Sequence, residues 1–224
     1  FCNGGYKFGN QIFHCWKKEG HGFINCEEAI SMSCDCYFYD ISLKVGIEKI
    51  SEIAVIFGLG KEYLKSTFSS SKGIIPNKVW TKSDTIVAAI GQGYTLSTPL
   101  QLAVMTSRIA TEGRMVTPTI LKSTSVKKEF PKTFVIDAKA YKLIKSGMFK
   151  TVNFAQGTAY GSRLFNTNAY MCGKTATSQV RRISMAEREI GIKKNEELPR
   201  EKRDHALFAG YFPHNKPKYA FSII

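Results

Sequence analysis

"MCGKTATSQV", residues 171–180, decides how the rest of the chain is read. It sets one ammonium, Lys174, beside three hydroxyl residues within four positions, and it holds no acid. As a strand it alternates faces: Lys174, Ala176 and Ser178 point one way, Thr175, Thr177 and Gln179 the other. At a cleft edge Thr175 and Thr177 can donate to a carboxylate, while Lys174 supplies positive potential there and to a nearby nucleophile. Ala176 keeps its side of the strand low, so a ligand backbone can approach. The Thr177 amide can serve an oxyanion if the sheet leaves it unpaired. A basic surface strand, with Thr chosen for β propensity, accounts for the same residues. A P-loop does not, because the Gly-rich lead of Walker A is missing.

Two more extended runs follow, over residues 206–212 and 219–224, and the helical signals lie upstream. Asn25 with Glu28 forms a capping-box pattern opening a helix toward Ser33. Residues 37–45 read as a second turn or helix ending at Gly46. "IEKISEIAVIFG" (47–58) places Ile47, Ile50, Ile53, Ala54 and Phe57 on one helical face. Residues 60–85 read as a polar surface excursion. Thr98, Pro99 and Gln101 give an N-cap, a first-turn proline and a capping box, with the helix ending near Glu112. Residues 114–121 read as a short extended edge, and Asp137 caps a helix through Lys150. Helices first and clustered strands last predict an α+β domain, an antiparallel sheet with helices packed on its faces.

The chain has 224 residues, 43% of them hydrophobic, enough for a real core. It contains no apolar run long enough to span a membrane and no signal peptide. Its opening and its end within a strand predict a piece of a longer protein, incomplete at both ends. The net charge of +14 suits an anionic partner or a solvated basic surface. Residues 181–203 are dense in charge, with eight basic and five acidic residues, and this mixture of both signs with few large apolar residues predicts a mobile insertion. No aromatic residues interleave it, so nucleic acid is not expected as a partner.

A second polar group is "SCD", residues 33–35, in a break between apolar helical segments. Ser33 can relay a proton and Asp35 can accept from a substrate amide; either can equally cap a helix. Residues 1–24 read as a Cys-rich loop. Cys2, Cys15, His21 and Cys34 are ligand types for a closed structural zinc site. Buried free thiols, or one disulfide, are the alternatives. On a tight turn Cys34 can point away from the cleft while Ser33 and Asp35 point into it. Cys172 reads as a small core residue.

"SCD" at 33–35 and "KTAT" at 174–177 stand in the order of the second and third motifs of penicillin-interacting serine enzymes. Residues 20–60, 89–118 and 203–224 resemble the corresponding text of penicillin-binding protein 2, the elongation-type class B transpeptidase. The resemblance implies a β-lactamase/transpeptidase-like fold over residues 1–224 and a periplasmic enzyme anchored in the inner membrane. Such enzymes cross-link peptidoglycan stem peptides through a serine acyl-enzyme, and β-lactams mimic the D-Ala-D-Ala end of the peptide. It implies that Lys174, Thr175 and Thr177 hold the terminal carboxylate and that Ser33 joins Lys174 in a proton relay. Asp35 stands for the usual Asn, and Ala176 for the usual Gly. Some relatives hold zinc near the second motif, through Asp, His and Cys; catalysis itself needs no cofactor. Elongation-complex proteins are the implied partners.

The nucleophile's Ser-x-x-Lys should precede Ser33 by several tens of residues. Ser69 with Lys72, and Ser125 with Lys128, match that spacing, but both lie in polar, turn-like runs and read as chance. This chain alone is therefore expected not to be acylated. A catalytically silent remnant binding penicillin or peptidoglycan, and a D,D-carboxypeptidase or β-lactamase, share the same motifs.

Overall fold

The computed structural model describes residues 1–65, 70–76, 81–121, 137–165, 169–181 and 183–224. The Ser69 and Ser125 matches lie outside the described residues.

Strands β1 (Gly5–Phe8) and β2 (Gln11–His14) form an antiparallel hairpin, with Phe8 opposite Gln11 across a two-residue turn that starts at Gly9. Gly9 has φ +59°, the left-handed conformation that glycine adopts at no steric cost. Residues 1–24 are thus a hairpin and its flanks rather than only a loop. Helix α1 (Cys26–Ser31) opens on Asn25, whose side chain accepts from the Glu28 N–H while Glu28 returns the bond. Helix α2 starts at Asp35, two residues earlier than the sequence suggested, and runs to Val45 (Asp35–Val45) before Gly46 breaks it. Helix α3 (Ile47–Ile56) follows.

The stretch expected to be only a surface excursion carries helix α4 (Lys82–Ala88), with a Thr81–Asp84 capping box. Helix α5 (Pro99–Ala110) has the Thr98–Gln101 box and the proline in its first turn. Residues 114–121 join neither sheet. Helix α6 (Ala138–Asn153) begins at Asp137 and passes Lys150 by three residues. Strands β3 (Cys172–Ser178), β4 (His205–Phe212) and β5 (Tyr219–Ile223) form an antiparallel sheet in that order, with Lys174 opposite Ala209. Between β3 and β4 the charged insertion folds into the short helix α7 (Met185–Ile190) and two 3-10 turns, and Arg181 pairs with Glu187 at 2.6 Å.

Helices α5 and α6 pack on this sheet, and their apolar faces meet it at Ala110, Met148, Cys172 and Tyr211. Cys172 is fully buried there, its Sγ 3.1 Å from His214 Nδ1. Helix α1 lies against α6 at close range, since a Cβ on Gly147 would come within 2.8 Å of Ile30. Lys150 pairs with Glu27 across this contact at 2.8 Å. The two packings join in series: α6 is seated on β3 and α1 on α6, so the chain just after α1 arrives beside the lysine of β3. A smaller core of Cys2, Cys15, Ala29, Cys34 and Cys36 lies under the hairpin. No helix among the described residues is long and apolar enough to cross a membrane.

Candidate active site

Helix α1 is capped at Met32, and Ser33 takes φ +55°, a left-handed conformation that costs a non-glycine residue about 1 kcal/mol. That twist separates neighbouring side chains. The Ser33 hydroxyl enters the cleft beside β3, whereas Cys34 is wholly buried on the other side of the turn. Lys174 Nζ donates to Ser33 Oγ and, at 2.7 Å, to the carbonyl of Thr175. Ser33 Oγ lies 3.4 Å from Thr175 Oγ1. Residues of opposite strand faces therefore meet at one serine, because the long lysine stem curls across the strand edge.

The outer edge of β3 is open to the cleft. The Thr175 carbonyl accepts from Lys174, and the Thr177 carbonyl accepts from the Gln92 side-chain amide. In an antiparallel ladder, residues two apart point their main-chain groups the same way, and both groups of one residue point together. The N–H of Thr177 thus faces away from β4, as an oxyanion donor requires. The Ala176 and Thr177 side chains are exposed.

Burial pushes the Lys174 amine down to about 8, against the pull of the Asp35 carboxylate. Burial pushes Asp35 up to about 6, opposed by the hydrogen bond from the Trp16 N–H. That bond, 2.9 Å to Asp35 Oδ2, ties one oxygen to the residue after Cys15. Asp35 thus braces the hairpin as well as setting the potential at Lys174, a role that its place in the motif did not suggest. The Trp16 indole donates to the Met32 carbonyl at 3.0 Å, so the turn carrying Ser33 is clamped from behind.

Behind that turn the ligand atoms of Cys2, Cys15, His21 and Cys34 lie within 4.8 Å of one another. His21 Nδ1 is 3.6 Å from the sulfurs of both Cys2 and Cys15. Hydrogen bonds from Cys34 and Cys36 hold the Cys15 thiol far below its usual range, and the same bonds raise Cys34 and Cys36. All six cysteines are free in this structure.

Two residues at the cleft carried no signal in the sequence. Gln92 lies in a glycine-flanked loop and gives no hint that it reaches β3. Thr158, in the turn after α6, places Oγ1 2.6 Å from Thr175 Oγ1 and 3.5 Å from Ser33 Oγ.

Residues 1–224 match the family described as penicillin binding protein transpeptidase domain. Among curated proteins, the peptidoglycan D,D-transpeptidase MrdA of Acinetobacter baumannii is 33% identical over 230 residues, 95% of this chain and 33% of the relative. MrdA of Escherichia coli K12 is 30% identical over 232 residues, 93% of this chain and 35% of the relative. The chain thus spans about a third of the length of these curated relatives. Among solved structures, penicillin-binding protein 2 of Helicobacter pylori in complex with MreC superposes with a TM-score of 0.80 at 30% identity, over 99% of this chain and 40% of that one. Penicillin-binding protein 2 of Pseudomonas aeruginosa in complex with WCK 5153 also gives 0.80 at 30% identity, over 99% and 47%. The cleft between "SCD" and "KTAT", the open edge of β3 and these likenesses lead to one conclusion: the chain belongs to the penicillin-binding protein transpeptidase family, with relatives of the penicillin-binding protein 2 type.

Proposed function

We propose that this chain supplies the carboxylate-binding and proton-relay wall of a peptidoglycan D,D-transpeptidase working at the periplasmic face of the inner membrane. The observation that carries the reading is the meeting of Lys174 with Ser33, 141 residues apart in sequence, beside an open strand edge. A peptide ending in D-Ala-D-Ala lies along β3. Its terminal carboxylate accepts from the hydroxyls of Thr175 and Thr177 in the positive potential of Lys174. The Thr177 N–H faces the carbonyl oxygen that becomes negative as a serine of Ser-x-x-Lys type attacks. As the acyl bond to the last D-Ala breaks, Ser33 gives its proton to the departing amine and takes one from Lys174, whose lowered affinity suits that exchange. β-Lactams occupy the same groups. The Ala176 methyl stands beside the ligand backbone, and Asp35 adjusts the charge on Lys174. A cell-wall elongation protein of the MreC kind is the partner that the H. pylori complex suggests.

Labelling with a fluorescent penicillin tests this in the full-length protein. The wild type is expected to label, and Lys174→Ala to lose labelling by at least about a hundred-fold, as for loss of a general acid–base group. Near-normal labelling of Lys174→Ala overturns the reading.

Cys2, Cys15, His21 and Cys34 are proposed to hold a structural zinc. A tetrahedral site with bonds of about 2.3 Å to sulfur and about 2.1 Å to nitrogen spaces those donors about 3.6 Å apart. His21 Nδ1 stands 3.6 Å from two of the sulfurs, so the residues fit the ion. Zinc would lock the thiolates together; the chain's own Trp16 bonds then carry that rigidity to Asp35 and Met32.

A further inference from the structure

Thr158 belongs neither to the proton relay nor to the carboxylate grip. It is exposed in the turn after α6, yet its backbone is held from three sides. Its N–H donates to the Ser31 carbonyl at 3.2 Å, and the N–H of Ala159 donates to Thr151 at 2.9 Å. Gly157 packs so tightly that a Cβ there would come within 2.3 Å of the carbonyl oxygens of Lys150 and Thr151. A surface threonine has no packing reason to be placed so firmly. What the placement achieves is the 2.6 Å approach of its hydroxyl to that of Thr175.

Counting protons shows what that approach does. Ser33, Thr158 and Thr175 have three hydroxyl protons among them, and Ser33 Oγ accepts from Lys174. If the three hydroxyls donate around a closed ring, no proton remains for a ligand. For Thr175 to donate to a carboxylate, its O–H must turn outward while its Oγ1 accepts from a neighbour. Thr158, at 2.6 Å, is far better placed to donate than Ser33 at 3.4 Å. We propose that Thr158 is a positioning residue: its O–H donates to Thr175 Oγ1 and so directs the Thr175 proton at the carboxylate of the bound peptide or β-lactam. This rests on the transpeptidase reading.

The test measures second-order acylation rate constants of the full-length protein with a penicillin and with the methyl ester of its carboxylate. The wild type is expected to prefer the acid. Thr158→Val and Thr158→Ala should each slow the acid about ten-fold, the size of one lost hydrogen bond to a charged group, and leave the ester within about two-fold. Thr158→Ser should keep the wild-type rate, and Thr158→Val should add nothing to Thr175→Val. Equal losses on acid and ester, or no loss on the acid, overturn the inference while leaving the transpeptidase reading intact. A wild type that is not acylated at all removes that reading and the inference with it.

Discussion

Lys174→Met replaces a largely buried ammonium with an apolar chain of similar length, and its effect on stability can be worked out as a function of pH. The amine has an ordinary value of 10.5 and is pushed down to about 8 in the folded protein. Below pH 8 both folded and unfolded chains carry the proton, and above 10.5 neither does. Between those limits the unfolded chain binds a proton that the folded one has lost, so stability rises with pH. The difference of about 2.5 units corresponds to about 3 kcal/mol over the window. The Met variant lacks this contribution. Urea unfolding of both full-length proteins, followed by fluorescence at half-unit steps from about pH 7.5 to 10.5, isolates it above the range of Asp35, which burial pushes up to about 6, because the tyrosines and cysteines titrate equally in both. Wild-type stability minus variant stability should climb by about 3 kcal/mol between about pH 7.5 and pH 10.5. A difference that stays level across the range would show that Lys174 is fully hydrated, and the cleft would not be the desolvated place that its burial implies.

Gln101 is fully buried; its amide donates to the carbonyls of Lys61 at 2.7 Å and Lys72 at 2.9 Å, and its oxygen accepts from Thr98 N–H. Gln101→Leu should therefore destabilise by about 2–3 kcal/mol, seen as a lower urea midpoint, because several buried groups lose partners together. A Cβ on Gly173 would meet the Phe208 ring at 2.1 Å, so Gly173→Ala should cost about 1–3 kcal/mol by the same measurement. Metal analysis of the full-length protein should find one zinc per chain, reduced severely in Cys15→Ala, and a strong chelator should lower the melting temperature of the wild type but not of that variant.

Helix starts were legible because capping is local: Asn25, Thr98 and Asp137 each mark a helix within three residues of its first turn. The strands of the main sheet were legible for the same reason, as short β-rich runs between turn residues. The hairpin was missed although Gly9-Asn10 is a known two-residue turn signal, because its strands have four residues each and the surrounding glycines and cysteines obscure them. Helix α4 was missed although Thr81 and Asp84 form a capping box, since its polar surroundings read as one long loop. In the cleft, Ser33, Lys174 and Thr175 were named from their motifs, and packing brings them together. Thr158 and Gln92 could not be named, since a lone threonine or glutamine beside glycine is ordinary loop composition. Only the seating of α6 on β3 and the fold of the loop before α5 give those two side chains an address.

The separation of Ser33 from Lys174 also orders events in time. At about 5–20 residues per second, the lysine leaves the ribosome roughly 7–28 s after the serine. Throughout that interval the hairpin and the early helices are already synthesised, but the partner that Ser33 meets in the finished cleft is not. A chain that stops short of Lys174 therefore has Ser33 without the cleft beside it, and the two residues meet only once β3 has been made and packed.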